Sequence, residues 1–263
     1  MSQRLRELFE ERRAAGQPMF IPYVTAGYPR PEDCVPILLA MEAGGADVIE
    51  IGVPFSDPLA DGATVQHANE VALAQGITYR DCCRFVKEAR ARGLRAPVLF
   101  MGYYNPMLAL GDDEAARIAA EAGADGFIIV DLPPEEAGSF LEACHKYDLS
   151  FVPLVAPTTT DARIAQLAAV ADAFLYCVSV TGVTGQRGSL ADDLPSFIAR
   201  IREHTSLPLA VGFGVSTRAH VEAVWKLADA AVIGSAIIST IDAAEENRRA
   251  ERIREFVEDV SGH

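Results

Sequence analysis

Ala43-Gly44-Gly45-Ala46-Asp47-Val48-Ile49-Glu50-Ile51-Gly52-Val53 passes from the end of a helix, through a glycine turn, into a short apolar strand. The glycines stop the helix and let the chain reverse. Val48–Val53 is rich in β-branched residues and too short to be a helix. The same device recurs three times: Ala122-Gly123-Ala124-Asp125 before Phe127–Val130, Val170-Ala171-Asp172 before Phe174–Val180, and Leu227-Ala228-Asp229 before Ala231–Ile233. Four more apolar runs, Phe20–Thr25, Pro97–Met101, Phe151–Val155 and Leu207–Val211, complete a set of eight. Near-continuous apolar runs suit parallel strands covered on both faces.

The segments between the runs have helical spacing. Leu194, Phe197, Ile198 and Ile201 form one apolar stripe, Ile253, Phe256, Val257 and Val260 another, and Val221, Val224 and Trp225 a shorter one. Thr78 with Asp81, Thr160 before Asp161, and Ser216 before Thr217 read as helix starts. Eight strand–helix units predict an α/β fold, a single (β/α)8 TIM barrel over residues 1–263, with an additional N-terminal helix at about residues 2–15. An open doubly wound sheet is the alternative, but no complete G-x-G-x-x-G follows the first run.

Composition agrees with an ordinary globular chain: 263 residues, 50% apolar and 23% charged. With 23 basic against 37 acidic side chains, the formal net charge is −14, which argues against nucleic acid or an anionic membrane as partner. Cys34, Cys82, Cys83, Cys144 and Cys177 form no C-x-x-C pair, and an odd count without a framework reads as reduced thiols in the cytoplasm. Scattered histidines and the absence of a Cys/His cluster argue against a metal site. Ser2 to Ala15 has no apolar signal core, and the longest uncharged stretch, Ala96–Gly111, is broken by Pro97, Gly102 and Pro106.

In a barrel, chemistry belongs at the C-terminal ends of the strands and in the loops after them. Glu50 is the sharpest anomaly, a carboxylate in mid-strand. Alternation puts it on one face with Val48 and Gly52. Burying it charged and unpaired costs several kcal/mol, so its pKa is expected to rise, as proton transfer near neutrality requires. The structural alternative is a Glu bonded within the barrel. The next loop, Pro54 to Gly62, carries Asp57 and Asp61, either of which reads as a surface turn cap or as a second acid–base group. Thr181 to Gly185, Gly212 to Ser216 and Gly234-Ser235-Ala236 are glycine-rich turns after late runs, where barrels bind phosphate through backbone N–H groups. Tyr103 and Tyr176 read as core or as walls for an aromatic ligand, and Asp131 as a capping or catalytic group.

The thirteen residues Glu50 to Gly62 (EIGVPFSDPLADG) resemble the signature of the tryptophan synthase alpha chain family. Supporting matches occur in family order: Gly102 to Pro106, Val130 to Pro134, Pro157 to Thr159, Thr181 to Gly185, Gly212 to Gly214 and Gly234 to Ala236. The resemblance implies a lyase of tryptophan biosynthesis that cleaves indole-3-glycerol phosphate to indole and glyceraldehyde 3-phosphate. It implies Glu50 and Asp61 as the catalytic pair, with no cofactor or metal in this chain. Thr184 would lie on a closing loop, and Gly185, Gly214, Gly234 and Ser235 would hold phosphate. Phe213 and Tyr176 would line the pocket, and Tyr23, Met101, Tyr103, Ile128 and Val130 would enclose the indole ring. The implied partner is a beta chain carrying pyridoxal phosphate, in an α2β2 heterotetramer, contacted through loops around Asp57, Pro58 and Asn105. The chain departs from the family at Ala63, Asn69 and Val71, where Pro, Ser and Arg are usual, which bears on loop rigidity and partner contact.

The implied reaction needs indole C3 protonated and a glycerol hydroxyl deprotonated as the carbon–carbon bond breaks. Glu50 suits both transfers, and ionised Asp61 suits the indole N–H. The rivals are another phosphate-binding barrel enzyme, a non-catalytic regulatory subunit, and a stand-alone indole-releasing lyase. The paired Glu50 and Asp61 argue against the first two.

Overall fold

The computed structural model describes residues 2–178, 193–212 and 214–262. The first half of the chain runs α1 (Gln3–Ala14), β1 (Met19–Thr25), α2 (Pro31–Ala43), β2 (Ile49–Gly52), α3 (Ala63–Ala74), α4 (Tyr79–Ala91), β3 (Val98–Gly102), α5 (Asn105–Leu108), α6 (Asp112–Ala122) and β4 (Gly126–Ile129). The second half runs α7 (Gly138–Lys146), β5 (Ser150–Phe151), β6 (Leu154–Val155), α8 (Asp161–Val170), β7 (Leu175–Val178), α9 (Leu194–Arg202), β8 (Leu209–Gly212), α10 (Arg218–Trp225), β9 (Ala230–Ile233), α11 (Ser235–Ala243) and α12 (Arg249–Ser261).

All strand pairs are parallel, in the order β5-β4-β3-β2-β1-β9-β8-β7-β6. The two ends of that order are consecutive in the chain, separated only by Val152 and Pro153. The Val152 N–H still reaches Phe127 O at 2.9 Å on one side, and Tyr176 N–H reaches Pro153 O at 3.0 Å on the other. β5 and β6 are therefore two halves of one barrel strand, and the sheet closes on itself with eight strands. The predicted run Phe151–Val155 is split because Pro153 has no N–H to donate to a ladder.

The repeated aspartates explain how the barrel is pinned. Asp47, Asp125, Asp172 and Asp229 precede alternate barrel strands, β2, β4, β7 and β9. Each clasps the start of the strand before it with two hydrogen bonds. Phe20 N–H donates to Asp47 Oδ2 at 2.8 Å, Val98 to Asp125 at 2.9 Å, Phe151 to Asp172 at 2.9 Å and Leu209 to Asp229 at 2.8 Å. The aspartate N–H groups return bonds to the carbonyls of Phe20, Val98, Phe151 and Leu209. Arg12, Arg90, His145 and Arg202 face the respective carboxylates. This fourfold device lies at the N-terminal end of the strands, where residues serve stability.

The extra helix α1 covers that end. Ser2 caps it by accepting from Leu5 N–H and ties it down by donating to Asp125 Oδ1 at 2.8 Å. Leu5 and Phe9 are buried, and Phe9 stacks on Phe174 at 4.9 Å. The expected stripes are buried in α9, α10 and α12, with Trp225 and Phe256 half-buried. Thr78 and Asp81 form a full capping box, and Thr160 caps α8. One helix start moves by a residue. Thr217, not Ser216, caps α10: its extended backbone puts the hydroxyl over His220 N–H. All five cysteines are free and buried. Among the described residues, no helix is long and apolar enough to cross a membrane.

Candidate active site

Glu50 lies in β2 beside Tyr23 of β1 and Leu99 of β3, all three on the inner face of the barrel. It is 0% exposed, and neither carboxyl oxygen has a hydrogen-bond partner. With nothing to compensate the lost hydration, burial raises its pKa well above the ordinary 4.5. Burial thus favours the neutral form of Glu50 over its carboxylate.

Two tyrosines wall it in. The Tyr23 hydroxyl bonds to Thr25 Oγ1 at 3.2 Å and lies over Gly52, where a Cβ would stand 2.1 Å from that oxygen. Tyr176 lies over Gly212 in the same way, again at 2.1 Å. Glycine at these two inner-face positions leaves room for the rings beside Glu50. Burial raises both phenol pKa values, so the rings stay neutral.

Asp61 comes from the loop after β2. Gln66, in the second turn of α3, holds its backbone by donating to Asp61 O at 2.9 Å. The Tyr103 hydroxyl accepts Ala60 N–H at 2.8 Å and donates to Asp61 Oδ2 at 3.3 Å. Partial burial pushes the Asp61 carboxyl up to about 6, against the side-chain hydrogen bonds of Tyr103 and Asn69, which lower it. Desolvation thus favours the neutral acid at Glu50, which nothing opposes, more than at Asp61, which accepts hydrogen bonds.

A single cavity brings these groups together at the C-terminal end of the strands. Of the residues singled out above, Glu50, Asp61, Tyr23, Met101, Tyr176, Gly214, Gly234 and Ser235 line it. The far wall is the N-terminus of α11, where Gly234, Ser235 and Ala236 present a first helical turn whose N–H groups have no intrahelical acceptor. No Lys or Arg lines the cavity among the described residues, so an anion there would be met by backbone N–H groups and the helix dipole.

Other expected residues lie elsewhere. Tyr103 touches Asp61 and stacks on Phe55 at 5.1 Å, outside the cavity lining. Ile128 pairs with Met101 but is fully buried in β4, and half-buried Val130 follows it; neither lines the cavity. Asp131 accepts Tyr104 N–H at 2.7 Å and so ties two loops together. Asp57 is exposed. Thr184, Gly185 and Phe213 lie outside the described residues. Val65, Val215, Ser216, Val232 and Ala236 also line the cavity. Val215, Ser216 and Ala236 belong to the late glycine-rich turns, whereas Val65 and Val232 are apolar residues with no chemical signal in the sequence.

Fold and site define a (β/α)8 barrel whose cavity, at the C-terminal end of the strands, is lined by two carboxyl groups and the N-terminus of α11. The family model described as "Tryptophan synthase alpha chain" matches residues 9–261. The chain belongs to the tryptophan synthase alpha chain family. It is 49% identical to the tryptophan synthase alpha chain of Roseiflexus sp. (strain RS-1), over 98% of this chain and 99% of that one. Among solved structures it resembles Mycobacterium tuberculosis tryptophan synthase, at a TM-score of 0.90 and 34% identity, covering 100% of this chain and 98% of that one. It also resembles tryptophan synthase subunit alpha from Legionella pneumophila str. Paris, at a TM-score of 0.89 and 36% identity with 100% and 98% coverage. The chain is accordingly a carbon–carbon lyase that cleaves indole-3-glycerol phosphate to indole and glyceraldehyde 3-phosphate.

Proposed function

We propose that Glu50 moves both protons of the cleavage and that Asp61 holds the indole nitrogen. Neutral Glu50 gives its proton to indole C3, and the ring becomes an iminium-like cation with its charge on nitrogen. Ionised Asp61 accepts a hydrogen bond from that N–H and stabilises the charge. The Glu50 carboxylate then takes the glycerol hydroxyl proton. The carbon–carbon bond breaks, its electrons neutralise the ring, and the aldehyde carbonyl forms. Glu50 ends as it began, so the cycle balances with no external acid or base. The observation carrying this reading is a fully buried Glu50 without hydrogen-bond partners beside a cavity it shares with Asp61.

In the same reading, the phosphate sits against Gly214, Gly234 and Ser235, and Tyr23, Met101 and Tyr176 flank the ring. Thr184, Gly185 and Phe213 are assigned to the same substrate by their match to the family motifs, as are Tyr103, Ile128 and Val130 to the surroundings of the ring. Residues 1–263 act as one domain, in the cytoplasm, a location that the free cysteines suit.

The partner is a beta chain carrying pyridoxal phosphate, bound in an α2β2 tetramer through the loops around Asp57, Pro58 and Asn105. Among the described residues, the exposed large hydrophobic side chains are Leu59, at 88%, and Leu108, at 52%. Leu59 belongs to the loop after β2 and Leu108 ends the short helix α5 that Asn105 begins, both following strands at the end of the barrel where the cavity lies. Exposed apolar side chains grouped at one end suit a protein interface. Indole formation from indole-3-glycerol phosphate, measured with the purified chain and again after adding a beta chain, tests the whole reading. Indole release that rises with the beta chain is expected; no release in either case would overturn it.

A further inference from the structure

Asp61 stands on an irregular loop, yet the role proposed for it needs a carboxylate of fixed direction. Two uncharged side chains reach it from different elements. Tyr103, at the end of β3, donates to Oδ2 while its ring is held against Phe55 of the same loop. Asn69 is on α3, one turn beyond cavity-lining Val65 and on the same helix face. It is 3% exposed, and its Oδ1 is buried without a partner. Asn is a poor residue for a buried helix interior, and an unpaired amide oxygen there is costly to keep. Its amide Nδ2, the group left to donate when Oδ1 is unpaired, lies where a side-chain hydrogen bond lowers the Asp61 carboxyl against burial.

We infer that Asn69 and Tyr103 are positioning residues for Asp61, two neutral donors that fix the direction of its carboxyl toward the cavity. The inference rests on the role proposed above for Asp61. Neutral donors suit the place. Among the described residues, the titratable groups around Asp61 are Glu50 from β2, Tyr23 from β1, Tyr103 just after β3 and Tyr176 from β7, and none of these supplies a positive charge. Burial disfavours the charged carboxylate, and the hydrogen bonds of Tyr103 and Asn69 oppose it. Gln66 and the Ala60 N–H fix the backbone beneath. The carboxylate is thereby aimed from two sides, and neither donor needs to touch the substrate.

The test uses the full chain with its beta chain and the variants Asn69→Ala, Asn69→Ser, Tyr103→Phe and Asp61→Asn. Asn69→Ala and Tyr103→Phe should each lower kcat by about tenfold and change KM by less than about threefold. Each should also move the acid limb of kcat/KM to higher pH by about half a unit or more, because a donor to the ionised form is gone. Asn69→Ser keeps a hydroxyl and should recover part of both effects. Losses of kcat with an unmoved acid limb, or no loss, overturn the inference while Asp61→Asn remains inactive. If Asp61→Asn turns over like the parent, the role of Asp61 fails and the inference fails with it. Tyr103→Phe keeps the ring packing, so the question stays answerable if Asn69→Ala does not fold.

Discussion

Replacing Glu50 by Gln separates a chemical consequence from a thermodynamic one. Glu50 is fully buried, unpartnered, and raised well above 4.5 by desolvation. For such an acid, stability is fully present below the unfolded pKa and is lost as pH rises toward the folded pKa. Between those two values the unfolded chain has released a proton that the folded chain still holds. The unfolding free energy then falls by about 1.4 kcal/mol per pH unit. Gln has no such slope, and all other titrating groups are shared by the two proteins. The stability of Glu50→Gln relative to the parent should therefore climb by about 1.4 kcal/mol for each pH unit from about pH 5 upward, until the folded pKa is reached. Urea unfolding of both proteins in half-unit pH steps gives the difference, and indole release is followed on the same preparations. Turnover should fall by at least about 100-fold, the usual worth of a general acid–base group. A stability gap that does not change with pH, or a variant that turns over like the parent, refutes the reasoning.

Asp61→Asn should reduce kcat by about 100-fold with a much smaller change in KM, since a charge developing in the transition state loses its partner. In the parent, kcat/KM should fall as pH drops through about 6, because Asp61 is raised to about 6 and works ionised; a profile flat to pH 5 would contradict that. Gly52→Ala puts a Cβ where the Tyr23 hydroxyl lies, and should cost about 1–3 kcal/mol of stability and narrow the cavity, seen as a lower melting temperature with a raised KM. Asp125→Ala leaves half-buried Arg90 and the Val98 N–H without their shared acceptor, and should destabilise by about 3 kcal/mol in denaturant titration with turnover per folded molecule unchanged. Leu59→Ser combined with Leu108→Ser should weaken beta-chain binding by about tenfold or more in calorimetry, without lowering the melting temperature of the isolated chain.

The barrel is legible in the sequence because each strand is a short apolar run, and four of the eight are announced by an aspartate. The model adds what that aspartate does, which no local pattern carries: it clasps a strand roughly 20 to 30 residues earlier. Pro153 could be read as an interruption, but that the ladder changes sides across it depends on closure. Glu50 stood out because a carboxylate in an apolar run violates local consistency, as functional groups do. Tyr103 was harder to place. Its sequence position puts it at the cavity end of β3, whereas its hydroxyl turns to the Asp61 loop, a choice made by the Ala60 N–H and by stacking on Phe55. Val65, Val232 and Ala236 line the cavity through backbone placement alone. Ser216 and Thr217 are both able to cap α10, and only their backbone angles decide between them.

The proposed cleavage turns on the protonation state of one side chain, Glu50, at neutral pH. Infrared difference spectroscopy of the parent against Glu50→Gln, recorded at pH 7 in the absence of substrate, reads that state directly. A protonated carboxylic acid carbonyl band should be lost in the variant, with no loss of carboxylate absorption. Loss of carboxylate absorption alone would show Glu50 already ionised, leaving no proton to deliver to the indole ring.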